Sequence, residues 1–231
     1  MIISKNLFFN YFEKYFFIFL IIACFIFILL NSLMVIGINI PSQFSKDLYR
    51  INYDHSYGEF FQYILLLGTL IFNIFILLKE RSFLFIIPFI FYLLLDDYFM
   101  IHDNVSSFIL FELDYLFHTL NELVPIRLKD IYEFMWHLCI TLPLFLISIL
   151  CFRNKNMLLN KFKIKYFISI ALLIFFALFI DILSVVIVNL IDTPKHPVNF
   201  IMTIMEEGGE MIVISFLFST FIGYFLEQRK T

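Results

Sequence analysis

Leu93-Leu94-Leu95-Asp96-Asp97-Tyr98-Phe99-Met100-Ile101-His102-Asp103 is the stretch on which the reading of this chain turns. Two adjacent aspartates stand inside an otherwise apolar run, and a His-Asp pair closes it where the apolar character stops. A carboxylate near the centre of a bilayer costs on the order of 2.5–3.5 kcal/mol by insertion scales. A span that keeps two of them needs a reason, and the flanking sequence supplies company for them.

The chain around this stretch is 62% hydrophobic, 20% aromatic and only 15% charged over 231 residues, with a mean hydropathy of +0.94. That lies outside the range of soluble globular domains and indicates an integral membrane protein. Three cysteines, Cys24, Cys139 and Cys151, fall in or beside apolar runs. They are too few and too scattered for a disulfide framework or a thiolate metal site. Lys5 and Lys14 precede the first apolar run as in a signal peptide, but no small-x-small cleavage pattern follows and the run is long enough to span.

Six stretches qualify as spans: about 15–38, 57–78, 83–101, 131–151, 164–191 and 203–226. The third contains Pro88 and reaches the length of a span only if Asp96 and Asp97 lie within it. The expected fold is therefore all-α, one polytopic membrane bundle of six transmembrane helices over residues 1–231. With the N-terminus cytoplasmic, the inner segments hold eleven of the sixteen Lys and Arg, which favours both termini inside. The acids sort oppositely: apart from Glu13, Glu80 and Glu227 they lie in outer loops or outer halves of helices, as do all five histidines. Chemistry is expected on the outer side.

The outer loop 104–130 has a period of its own. Val105, Phe108, Ile109, Leu113, Leu116, Phe117, Leu120 and Leu123 trace an apolar helical stripe, with Asp114, His118 and Glu122 on another face. This predicts an interfacial helix ending near Pro125. The inner loop 152–165 is basic and suits anionic headgroups.

Three further spans bring polar groups to the depth of Asp96 and Asp97, which is roughly 7 Å from the outer end at 1.5 Å per residue. They are Glu133 with His137, Asp181 at roughly 15 Å, and the run Glu206-Glu207-Gly208-Gly209-Glu210. Asp96 and Asp103, Glu133 and His137, and Glu206 and Glu210 are spaced seven, four and four apart, so each pair shares a helix face. Gly208 and Gly209 would let a neighbouring helix or a ligand approach closely. Glu59 and Gln62 are positioned to complete the pocket.

So many carboxylates cannot all stay ionised in one small site without a counter-charge; either cations supply it or some acids hold protons. Oxygen-rich ligands with an imidazole suit Zn, Mn, Fe, Mg or Ca. The expected metal ligands are Asp96, Asp97, His102, Asp103, Glu133, His137 and Glu210, with Asp181 or Glu206 as general base. There is no HExxH, GxSxG, Walker or CxxC motif.

These residues predict a metal-dependent hydrolase or transferase acting on a lipid that enters sideways between spans, in a cell membrane and specifically a bacterial inner membrane. The alternatives are a cation or proton carrier using the same acids, and a structural or partner-binding subunit. The partners expected are the bilayer and a lipid, with no nucleic acid; the sequence carries no indication of oligomeric state.

Overall fold

Ser56 begins the first helix that bears on the site: its hydroxyl accepts the Glu59 N–H at 3.3 Å, an N-cap that lets the apolar run behind it wind without orphaned donors. The computed structural model describes residues 11–35, 56–101, 104–109, 128–150, 157–191 and 197–229, and the regular structure among them is helical. The helices are α1 (Tyr11–Val35), α2 (Tyr57–Leu77), a 3-10 turn (Arg81–Phe85), α3 (Ile87–Phe99), α4 (Leu128–Ile149), α5 (Met157–Ile174), a π-helical segment (Phe175–Ile180), α6 (Asp181–Ile191) and α7 (Pro197–Gln228).

Five stretches are long and apolar enough to cross a membrane: Tyr11–Leu33, Tyr57–Leu77, Arg81–Phe99, Leu158–Ser184 and Phe200–Gln228. The fourth expected span, on α4, contributes the shorter apolar helix Met135–Ile149. The third expected span is divided. Pro88 lacks an N–H and starts α3 rather than interrupting it, and the residues before it tighten into i→i+3 bonds from Phe83 to Glu80 and from Ile86 to Phe83. α3 ends on Met100, whose φ of 47° is left-handed. His102, Asp103 and residues 110–127, which include Asp114, His118, Glu122 and most of the expected interfacial helix, lie outside the described residues; 104–109 is helical. Cys151 also lies outside them.

α7 is the centre of the bundle and packs against α1, α2, α5, α6 and the π segment. Two-thirds of its apolar window is buried (67%), against 17% for α1, which is a peripheral helix. With lipid outside, association rests on van der Waals packing and close approach rather than on hiding oil from water. An aromatic block formed by Phe83, Phe162, Phe221 and Tyr224 locks the 3-10 turn, α5 and α7 at the end of the bundle where Lys79 and Arg81 lie. A second cluster, Leu20, Leu65, Leu66, Leu173, Val213 and Ile214, continues toward the opposite, acidic end. The expected close approach at Gly208 and Gly209 is made by side chains of neighbouring helices: a Cβ on Gly208 would meet Ile28 of α1, and one on Gly209 would run into the Phe176 ring of the π segment.

The basic end holds an arrangement that runs against its sequence reading. Lys165, expected among the loop charges, is buried, and its Nζ donates to both Glu13 carboxylate oxygens at 2.7 and 2.6 Å. Gly223 leaves room for that carboxylate, since a Cβ there would sit 2.8 Å from Glu13 Cδ. Nearby, Glu80 Oε2 accepts from the Tyr224 hydroxyl at 2.6 Å and from Gln228 Nε2 at 3.3 Å.

Candidate functional site

α3, α4 and α7 converge on a cavity of about 70 Å³ near the acidic end. Asp96, Asp97, His137, Thr141 and Glu210 form its polar wall, and Leu66, Leu93, Ile170, Leu173, Ala177 and Leu178 are among its apolar residues; among the described residues, no Lys or Arg lines it. Four of the residues predicted as metal ligands therefore share one cavity. Asp96 is 2% exposed, and its Oδ2 lies 3.7 Å from His137 Nδ1, an ion-pair distance longer than a hydrogen bond.

The local chain explains how the acids are presented. Because Met100 turns left-handed, the last carbonyls of α3 lose intrahelical donors. The Tyr63 hydroxyl, 2.9 Å from Glu59 Oε2, lies 3.2 Å from the Asp97 carbonyl oxygen and ties α2 to this helix end. Asn104 Nδ2 donates to the Phe99 carbonyl at 2.9 Å. Across the bundle, the π segment runs directly into Asp181, and its Ala177 and Leu178 line the cavity. Single π turns inside α-helices are frequent at functional sites because they rotate the residues that follow.

Around the cavity stands a shell of further acids. Glu206 has Asp181 as its electrostatic neighbour. Glu207 faces Glu206, Glu59, Asp97 and Asp181, and Glu210 faces Glu207, Asp97, Glu206 and Asp181. Glu59 thus joins the group. His102 and Asp103 lie outside the described residues, and Glu133 sits on α4 with its side chain undescribed. Among the described residues, no three His, Cys, Asp or Glu side chains are grouped closely enough to hold a metal ion.

The cavity has residues of both α4 and α5 in its lining. At the basic end the two helices meet: the Tyr166 hydroxyl donates to Ser148 Oγ at 2.9 Å, and Phe145 stacks edge-on with Phe167. Toward the acidic end α4 follows α3, and His137 and Thr141 face Ile170, Leu173 and Leu178 across the cavity. Leu138, Leu142 and Leu146 on α4 and Ile168, Leu172 and Phe175 on α5 and the π segment are exposed apolar side chains on the outward faces of these helices.

Tyr63, Tyr92 and Thr141 escaped the sequence reading. Each stands four residues from a predicted site residue, Glu59, Asp96 and His137 respectively, so same-face spacing was the available signal.

One family model, described as Domain of unknown function (DUF8692), matches residues 17–223, a stretch that contains every acid of the cavity and its shell. No curated protein matches the chain, and no solved structure does.

Proposed function

The chain belongs to the DUF8692 family, and we propose that it is a multi-pass membrane enzyme that hydrolyses or transfers the polar head of an amphiphilic lipid. The lipid lies sideways between α4 and α5, its chain along the apolar rim and its head at the acids. The observation that carries this reading is the composition of this cavity: a carboxylate–histidine wall at its head and aliphatic residues along the rest. An ion needs no such apolar wall.

In this reading His137 accepts the proton of the attacking hydroxyl or water, and Asp96 balances the charge that His137 then carries. Apo distances of this kind are commonly long and shorten on binding. Asp97 and Glu210 meet the polar head, with Asp181 and Glu206 as the proton reserve behind them. A divalent cation (Zn, Mn, Fe, Mg or Ca) belongs to the proposal as the counter-charge of Asp97 and Glu210. The same proposal puts six spans in a bacterial inner membrane with both termini cytoplasmic, supported by the distribution of Lys and Arg.

The test is turnover of a bacterial lipid extract by purified protein, followed by mass spectrometry of the lipids. Wild type should deplete one lipid class, and His137→Asn should slow this by about 10²-fold or more. Equal turnover by wild type and variant, or none by either, refutes the proposal.

A second reading, a cation or proton carrier, draws on the Glu13–Lys165 pair and on Asn73, which is wholly buried with neither amide atom hydrogen-bonded. These place polar groups at depth in the basic half as well. Flux into proteoliposomes that disappears in Asp181→Asn would favour it.

A further inference from the structure

Three polar side chains stand beside Asp96 that the acid–base reading does not use. The Tyr92 hydroxyl lies within hydrogen-bonding reach of the Asp96 carboxylate, and the Trp136 indole and the Thr141 hydroxyl lie within the same reach of Tyr92. The polar atoms of all three are buried. Tyr92 stands one helical turn before Asp96 on α3, Trp136 directly precedes His137 on α4, and Thr141 follows His137 by one turn. Of the three only Thr141 lines the cavity. Tyr92 and Trp136 therefore act through Asp96 and not on a bound molecule.

The donor chemistry fixes the direction of this chain. An indole N–H can only donate, so Trp136 gives its hydrogen to the Tyr92 oxygen, and Thr141 can give a second. Tyr92 then directs its one proton to the carboxylate, which accepts. Asp96 is thereby held on α3 by a donor whose own orientation is set from α4. Its Oδ2 stands 3.7 Å from Nδ1 of His137. Which nitrogen of a neutral imidazole carries the proton is set by the partner of that nitrogen, and an accepting carboxylate selects N–H at Nδ1. We propose that Trp136, Tyr92 and Thr141 are positioning residues: through Asp96 they place the proton of neutral His137 on Nδ1 and leave Nε2 as the free base. This rests on the reading of His137 as proton acceptor and names the nitrogen that accepts. A chain that merely tied α4 to α3 would stabilise the bundle and leave the imidazole proton on either nitrogen.

The tautomer can be read without turnover. The full chain, labelled with nitrogen-15 in histidine and tryptophan, is placed in nanodiscs, and the His137 signals are identified by their loss in His137→Asn. Where the imidazole is neutral, wild type should show Nδ1 protonated and Nε2 bare. Tyr92→Phe should turn this into a mixture of both tautomers, and Thr141→Val should do so in part. Thr141→Ser, which keeps the hydroxyl, should retain the wild-type pattern. Trp136 is the only tryptophan of the chain, so its single indole signal should shift in Tyr92→Phe as its acceptor is lost. Unchanged signals of the other histidines report that the variant is folded; should Tyr92→Phe not fold, Trp136→Phe carries the same expectation for His137. In lipid turnover Tyr92→Phe should lower kcat about tenfold with KM within about twofold, the mark of a contact that counts in the transition state. His137 protonated at Nε2 in wild type, or a wild-type tautomer that persists in Tyr92→Phe, overturns the positioning role and leaves the lipid reading to its own test. Wild type that shows the expected tautomers but turns over no lipid overturns the lipid reading and leaves the chain from Trp136 to His137 standing.

Discussion

At the residue scale, the acids of this bundle are arranged by a few hydroxyls. Tyr63 holds Glu59 and caps the open end of α3 at the Asp97 carbonyl, so removing its hydroxyl exposes both groups to loss of a partner. Tyr63→Phe is expected to destabilise the protein by about 1–1.5 kcal/mol, measured as a shift in denaturant midpoint in mixed micelles; an unchanged midpoint would mean that the carbonyl finds another donor. Asp97 and Glu210 make a sharper case, because they interact at the wall of one cavity that, among the described residues, no Lys or Arg lines. If a divalent cation is their counter-charge, metal analysis of purified wild type should find it near one per chain, and Asp97→Asn and Glu210→Gln should each lose it. Retention in both variants would remove the cation from the proposal. The acids of the cavity wall were legible from sequence as residues out of place: a carboxylate in an apolar run is costly wherever it lies, and that local rule singles out Asp96, Asp97 and Glu210. Trp136, Tyr92 and Thr141 are unremarkable in a membrane helix, and only their place beside Asp96 and the cavity singles them out.

At the scale of the element, the π segment Phe175–Ile180 runs directly into Asp181. Its Phe176 ring rests on the backbone at Gly209, one residue from Glu210, so the two chain segments that carry Asp181 and Glu210 are held in register by a ring on a glycine. Gly209→Ala should push that ring away and cost about 1–3 kcal/mol as an overpacking substitution. The double variant Gly209→Ala/Phe176→Ala should recover part of the loss; additive losses would show that the two residues act independently. The helices are readable in the sequence because length and apolarity of a segment are local properties. Pro88 was read inside a continuous span, whereas it heads α3 and leaves a 3-10 turn before it. An N-terminal proline and an interior one look alike until the hydrogen bonds on either side are known.

At the scale of the whole molecule, the basic end is closed by a buried ion pair whose partners are 152 residues apart. Glu13 is the anchor of the peripheral α1, and Lys165 reaches it from α5. Lys165→Met leaves an uncompensated buried carboxylate and should cost about 3–5 kcal/mol, while the double variant Glu13→Gln/Lys165→Met should restore much of the loss. Thermal unfolding of the two variants beside wild type checks this, and a single variant as stable as wild type would show that the pair is solvated. Sequence alone determined that the chain is a helical bundle with stretches suited to a membrane, and that its acids and its bases gather at opposite ends. Each of those properties is a sum over neighbouring residues. Only the tertiary structure decided that Asp96, Asp97, His137 and Glu210 share one cavity and that Lys165 turns inward to Glu13. The physical reason is that helices facing lipid on one side and protein on the other are apolar all round, so hydropathy does not mark the inward face. Rotation about each helix axis is set instead by close packing, by Gly209 under Phe176 and Gly223 beside Glu13, and that packing exists only once the partners have met.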